Sequence, residues 1–149
     1  MSDAQRSTDR VLPRAVFWDM DGTLLDTEPL WGIAMERFAE RLGLDLTPQL
    51  RAATMGNSSV DALTKMYDAA LVPDSGRDFD GDEAWIVEQV LEIFADDLRW
   101  RPGALDALAL VAAAEIPMVL VTNTIREVAD VMLETLGRER FVATVCGDE

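Results

Sequence analysis

Apolar residues fall in short blocks whose spacing changes along the chain. Ala15 to Trp18 is a continuous apolar run and reads as a short buried strand. Trp31, Ala34, Met35, Phe38 and Leu42 then recur at helical spacing, with Gly43 placed as a helix C-cap. Asn57-Ser58-Ser59 reads as a helix N-terminus, followed by Val60, Leu63, Met66 and Ala70 on one face. Residues 72–82 read as a polar loop. A third helix follows, with Ile86, Val90, Ile93 and Phe94 on its apolar side.

Arg101-Pro102-Gly103 interrupts the pattern. Ala104 to Ala114 is again helical, with Leu105, Leu108 and Val111 spaced for burial. Met118-Val119-Leu120-Val121 is a continuous apolar run, as in a parallel strand covered on both faces. Ile125 to Leu136 reads as a helix closed by Gly137, and Phe141 to Val145 as a third short strand.

Strands separated by helices predict right-handed parallel crossovers and an α/β fold. The helices between about Leu30 and Leu98 exceed what one crossover needs. They read as a small helical cap inserted over the strand ends. Residues 1–28 and 101–149 are thus expected to form the core, and residues 29–100 the cap.

Composition narrows the function classes. The chain has 149 residues, 49% of them apolar, which suits one globular domain with a small insertion. Its 28 acids against 13 bases give a net charge of −15 with no basic run, which argues against nucleic acid or an anionic membrane as partner. Cys146 is the only cysteine, so no internal disulfide can form. Histidine is absent, so acid–base or metal chemistry must rest on carboxylates. Residues 1–14 are polar and do not resemble a secretory signal, and no apolar run reaches membrane-spanning length. A cytoplasmic location is the default expectation.

The chemistry concentrates in Asp19-Met20-Asp21-Gly22-Thr23-Leu24, directly after the first strand. That position puts both acids at the carboxyl end of a strand, where open α/β sheets bind ligands. One carboxylate can attack an electrophile while the other handles a proton. Two acids this close also suit a hard cation. Asp and Gly are ordinary turn residues, but the apolar strand before and the Thr-Leu after favour the functional reading. Asp78-Phe79-Asp80-Gly81 carries the same short pattern without a strand before it. Its acids fit a helix N-terminus instead. Neither stretch has its glycine at the sixth position of an EF-hand loop.

The stretch Phe17 to Glu28 resembles the opening motif of the haloacid dehalogenase superfamily, in the subgroup of β-phosphoglucomutase and phosphoglycolate phosphatase. The resemblance implies a Rossmann-like parallel sheet with a helical cap. It implies that Asp19 attacks phosphorus to form an aspartyl-phosphate and that Asp21 is the general acid/base. It also implies Mg²⁺ held by Asp19 and by the main-chain carbonyl of Asp21. Thr122-Asn123, after the apolar run, resembles the second motif, which binds the phosphoryl group. Helix N-capping is the plainer alternative for that pair. Gly56-Asn57 falls where a cap loop could face substrate, with plain capping again the alternative. Trp31, Trp85 and Trp100 are expected in the core, and Arg126 on a solvated helix face.

The family's third motif supplies a lysine and its fourth further acids. Phe141 to Glu149 resembles the strand and turn just before the third, so both lie beyond Glu149. Lys65, the only lysine, lies on a cap helix and is not assigned that role. Without the strands that follow, the first strand is expected to be an exposed edge that favours self-association. The expected activity is Mg²⁺-dependent hydrolysis of a small phosphorylated metabolite. The alternatives are a phosphosugar mutase and a non-catalytic binding module. The identity of the metabolite is not legible.

Overall fold

The computed structural model of the chain describes residues 12–149. Most of the polar leader, residues 1–11, lies outside the described residues, and with it most of the reading of residues 1–14. The elements run in the order β1 (Val16–Trp18), α1 (Glu28–Arg41), α2 (Pro48–Thr54), α3 (Ser59–Ala69), α4 (Phe79–Asp97), α5 (Ala104–Ala113), β2 (Met118–Val121), α6 (Arg126–Leu136) and β3 (Ala143–Val145). Among the described residues no helix is long and apolar enough to cross a membrane.

The three strands form one parallel sheet in the order β1-β2-β3. Its register aligns Phe17 with Val119 and Val119 with Ala143. Both crossovers step in the same direction, so right-handedness places α5 and α6 on the same face of the sheet. Met118 and Leu120 are buried beneath that face, while Phe17 is 70% exposed and Val121 and Val145 are also open. This corrects two expectations. Among the described residues β1 is not wholly buried, and the β2 run is covered on one face rather than two. A continuous apolar run cannot reveal how many faces are covered, because that depends on the direction of each crossover. β1 pairs only with β2 among the described residues and is an edge strand, as expected.

The helical segment between β1 and α5 contains α2, which the apolar spacing did not predict. Its signal is local: Thr47 Oγ1 accepts from Leu50 N at 3.2 Å, and Pro48 occupies the first turn. The polar loop also ends sooner than predicted, since α4 begins at Phe79. Leu63, Met66, Val90 and Phe94 are buried as their spacing requires, whereas Val60 and Leu105 are exposed. α1 and α4 pack together, with Trp31 edge-on to Phe94 at 5.7 Å.

The two chain segments joining these helices to the sheet are tied to each other. Asp26 N donates to Arg99 O, Arg101 N donates to Leu24 O, and Asp26 pairs with Arg101 at 2.9 Å. The backbone polar groups of both crossings are thereby satisfied next to the strand end.

Candidate active site

Asp19 leaves β1 at its carboxyl end, and the chain turns at once. Gly22 N donates to Leu25 O, while Leu24 N and Leu25 N both donate to Met20 O. Gly22 takes φ +69°, in the left-handed region open to glycine. Buried Met20, Leu24 and Leu25 anchor the turn from below. Apolar residues alternating with acids thus fix the backbone while both carboxylates stay above the core.

The carboxylates differ in their surroundings. Asp19 is exposed and accepts from Thr23 Oγ1 at 2.7 Å. Asp21 is half-buried and accepts from Thr27 Oγ1 at 2.8 Å, Trp31 Nε1 at 2.8 Å, Thr124 Oγ1 at 2.7 Å and Thr122 Oγ1 at 3.3 Å. These donors come from the β1 turn, α1 and the loop after β2. Asp21 is therefore the point where three parts of the chain converge, and Asp19 is left open beside it.

Thr122 is buried at the end of β2, and Asn123 is exposed beside it. Neither caps α6. The cap position is Ile125, and the first helical amide, Arg126 N, donates to Asp148 Oδ1 at 2.8 Å. The Thr122 hydroxyl instead accepts from Thr124 N and donates to Asp21. Asn123 Nδ2 reaches Gly56 O across the site at 3.4 Å. The loop is braced from below by Gly147, whose N donates to Thr124 O; a methyl group there would overlap the Asn123 carbonyl. Arg126 is not on a solvated face. It donates to Glu149 at 2.7 Å and to Thr144 Oγ1 at 3.0 Å, which holds the last turn against α6. These bonds to Glu149 push the guanidinium above its ordinary range and hold the Glu149 carboxyl below its own.

A cavity of about 390 Å³ opens over this strand end. Asp19, Asp21, Asn123 and Thr124 form its floor. Trp31, Met35, Arg51, Gly56, Asn57, Leu63, Glu83, Ile86 and Val87 enclose it from the helices. Gly56-Asn57 thus faces the cavity. Asn57 is also tied down by Lys65 Nζ at 2.8 Å, which keeps Lys65 on α3. Trp85 and Trp100 pack against the apolar core, as expected. Trp31 does more than fill space, since its indole N–H ends on Asp21. Residue spacing gave only its apolar role; the aligned signal was that it follows Asp21 by ten positions, within reach once Gly22 turns the chain.

The donors suit a hard cation, though sparsely. Among the described residues no three Asp, Glu, His or Cys side chains gather at one point. The oxygens on offer are the Asp19 carboxylate and the Asp21 main-chain carbonyl, which none of the bonds closing the turn uses. A small octahedral cation that keeps several waters accepts such a set.

Sequence and fold comparisons identify the family. The model of the haloacid dehalogenase-like hydrolases matches residues 16–148. The chain belongs to that family. A phosphorylated carbohydrates phosphatase of Thermotoga maritima is 34% identical over 136 residues, covering 91% of this chain and 62% of that protein. A phosphoglycolate phosphatase of Chromobacterium violaceum is 31% identical, again over 91% of this chain and 62% of the relative. The β-phosphoglucomutase of Clostridium difficile superposes with a TM-score of 0.73 at 20% identity, covering 93% of this chain and 63% of that one. The last likeness speaks for the fold alone. The chain spans a little under two thirds of the length of these relatives.

Proposed function

We propose that the protein hydrolyses a small phosphorylated metabolite through an aspartyl-phosphate on Asp19, with Mg²⁺ as cofactor and residues 29–100 as a cap over the site. The observation that carries this is the asymmetry of the two acids. Asp19 is open to the cavity, whereas Asp21 is held by Thr27, Trp31, Thr122 and Thr124. A carboxylate open to the cavity, with a single hydroxyl partner, suits a nucleophile, and a fixed neighbour suits proton transfer.

In the first step an Asp19 oxygen bonds to phosphorus as the bond to the leaving oxygen breaks. Asp21 delivers the proton that the leaving alcohol takes. In the second step Asp21 removes a proton from water, which attacks phosphorus and frees inorganic phosphate and the Asp19 carboxylate. Asn123, on the cavity floor, holds a phosphoryl oxygen, and Thr122 joins it when its hydroxyl turns from Asp21. Asp19 and the Asp21 carbonyl would hold Mg²⁺, which supplies positive charge against the repulsion between carboxylate and phosphate. The helical roof keeps bulk water from the transfer.

Asp19→Asn tests the reading: phosphate release from a phosphomonoester should vanish while binding persists, and an undiminished rate would end it. We also propose that the 149-residue chain self-associates through the open β1 edge and the exposed Phe17 row. Sedimentation should show concentration-dependent association that Phe17→Lys reduces. A monomer at every concentration excludes it.

A further inference from the structure

The cavity's charges select among phosphorylated substrates, and this step rests on the phosphohydrolase reading above. With the phosphoryl group at Asp19, the rest of the substrate lies toward the helices. Its surroundings there are largely apolar: Met35, Leu63, Ile86 and Val87 line that side. Arg51 is the only basic side chain on the cavity wall among the described residues. Its charge is already paired with a carboxylate. Nη2 donates to Glu28 Oε2 at 3.0 Å and to the Glu28 carbonyl at 3.1 Å. Glu83 adds a further carboxylate to the same wall.

We infer that the substrate is a phosphomonoester whose body carries no charge, such as the phosphate of a small alcohol or sugar. A second anionic group would have to share Arg51 with Glu28, whose carboxylate already balances the guanidinium charge. It would meet a wall with no net positive charge to offset its desolvation. Glu83 would repel it as well. An uncharged body leaves the Arg51–Glu28 pair intact and lies against the apolar side chains.

The experiment compares two phosphomonoesters of equal carbon count, 2-hydroxyethyl phosphate and phosphoglycolate, which differ in the carboxylate. Affinities are measured by calorimetry with Mg²⁺ present, on the full chain carrying Asp19→Asn so that neither is turned over. The neutral-bodied ester should bind about tenfold more tightly. Adding Glu28→Gln frees Arg51 and should shift the ratio toward phosphoglycolate by about tenfold. Glu83→Gln, farther along the chain from the segments that join the helices to the sheet, should shift it the same way by a smaller factor and guards against misfolding of the Glu28 variant. Equal or tighter binding of phosphoglycolate with Glu28 intact overturns the inference. So does a ratio unmoved in both variants, or failure of both esters to bind. Phosphate release by the unsubstituted chain is measured separately. Binding in the expected ratio without any release would overturn the phosphohydrolase reading and leave the charge selection standing.

Discussion

Two stretches of this chain carry the pattern Asp-x-Asp-Gly, and they do different work. In the first, Asp19 and Asp21 stand at the end of β1 over a cavity, and hydroxyls and an indole from three elements converge on Asp21. In the second, Asp78 precedes α4 and its carboxylate accepts from Gly81 N at 3.0 Å. Asp80 lies in the first turn of that helix, where its charge meets the positive end of the dipole. The same three residues, two Asp and a Gly, thus build a candidate active site in one place and a helix cap in the other. The difference lies in what precedes them. An apolar strand aims acids at a ligand-binding rim, whereas a polar loop leads them into a helix.

The largest expected effect is the one that separates the two stretches. Asp19→Asn should lower phosphate release by a factor on the order of 10⁴ or more. Asp80→Asn, at the second acid of the other stretch, should leave the rate within about twofold, as surface substitutions do. Steady-state assays of both variants against one substrate check this. Equal losses would erase the distinction.

A finer test asks whether the convergence on Asp21 matters or only its presence. Trp31→Phe keeps the ring and removes the N–H that reaches Asp21 at 2.8 Å. A hydrogen bond to a charged group contributes about 1.5–3 kcal/mol, so kcat should fall roughly tenfold to a hundredfold. A positioning role predicts that the pH–rate profile also moves, with KM little changed. A purely structural role predicts lower thermal stability with the profile unmoved.

Legibility in the sequence followed the same division. The strand end, both acids and Thr122 could be read because each sits next to a periodic apolar block that fixes its place. Trp31 and Thr124 could not, because their partner is Asp21, 10 and 103 positions away respectively. The Gly22 turn brings Trp31 to it, and the crossover to β2 brings Thr124. α2 escaped because seven residues carry too little periodicity, although Thr47-Pro48 announced it. The bare face of the sheet escaped for a third reason. Phe17 and Val121 are as apolar as buried strand residues, and only the shared direction of the two crossovers leaves them open. Arg126 looked like a surface cation because its partners, Thr144 and Glu149, approach only once β3 has paired with β2.

The second stretch has a pH dependence of its own. Asp82, just past it on α4, accepts from buried Tyr67 Oη at 2.6 Å. Burial, and then this bond, raise the Tyr67 phenol from its ordinary 10.0 to about 12. The folded state therefore favours the protonated phenol. That stabilisation is complete below pH 10.0 and is lost as pH rises toward about 12. Denaturant unfolding across this range should show a loss of roughly 2–3 kcal/mol. Tyr67→Phe should flatten it. The same alkaline slope in the Phe variant would assign the effect elsewhere.

The smallest effect belongs to the cap itself. Asp78→Ala removes the acceptor for Gly81 N and a negative charge from the start of α4. Loss of an N-cap costs about 1 kcal/mol, and urea unfolding should register it as a lower midpoint at unchanged slope. Because α4 also carries Glu83, Ile86 and Val87 on the cavity wall, fraying at its first turn could reach the site. The cap lies more than a turn before Ile86, however, and dipole and capping effects fade within the first turn. The expected outcome is lower stability with an unchanged KM. A raised KM at unchanged stability would mean that the second Asp-x-Asp-Gly stretch serves the site after all, by setting the position of α4, and the contrast between the two would then be one of distance from the chemistry and not of kind.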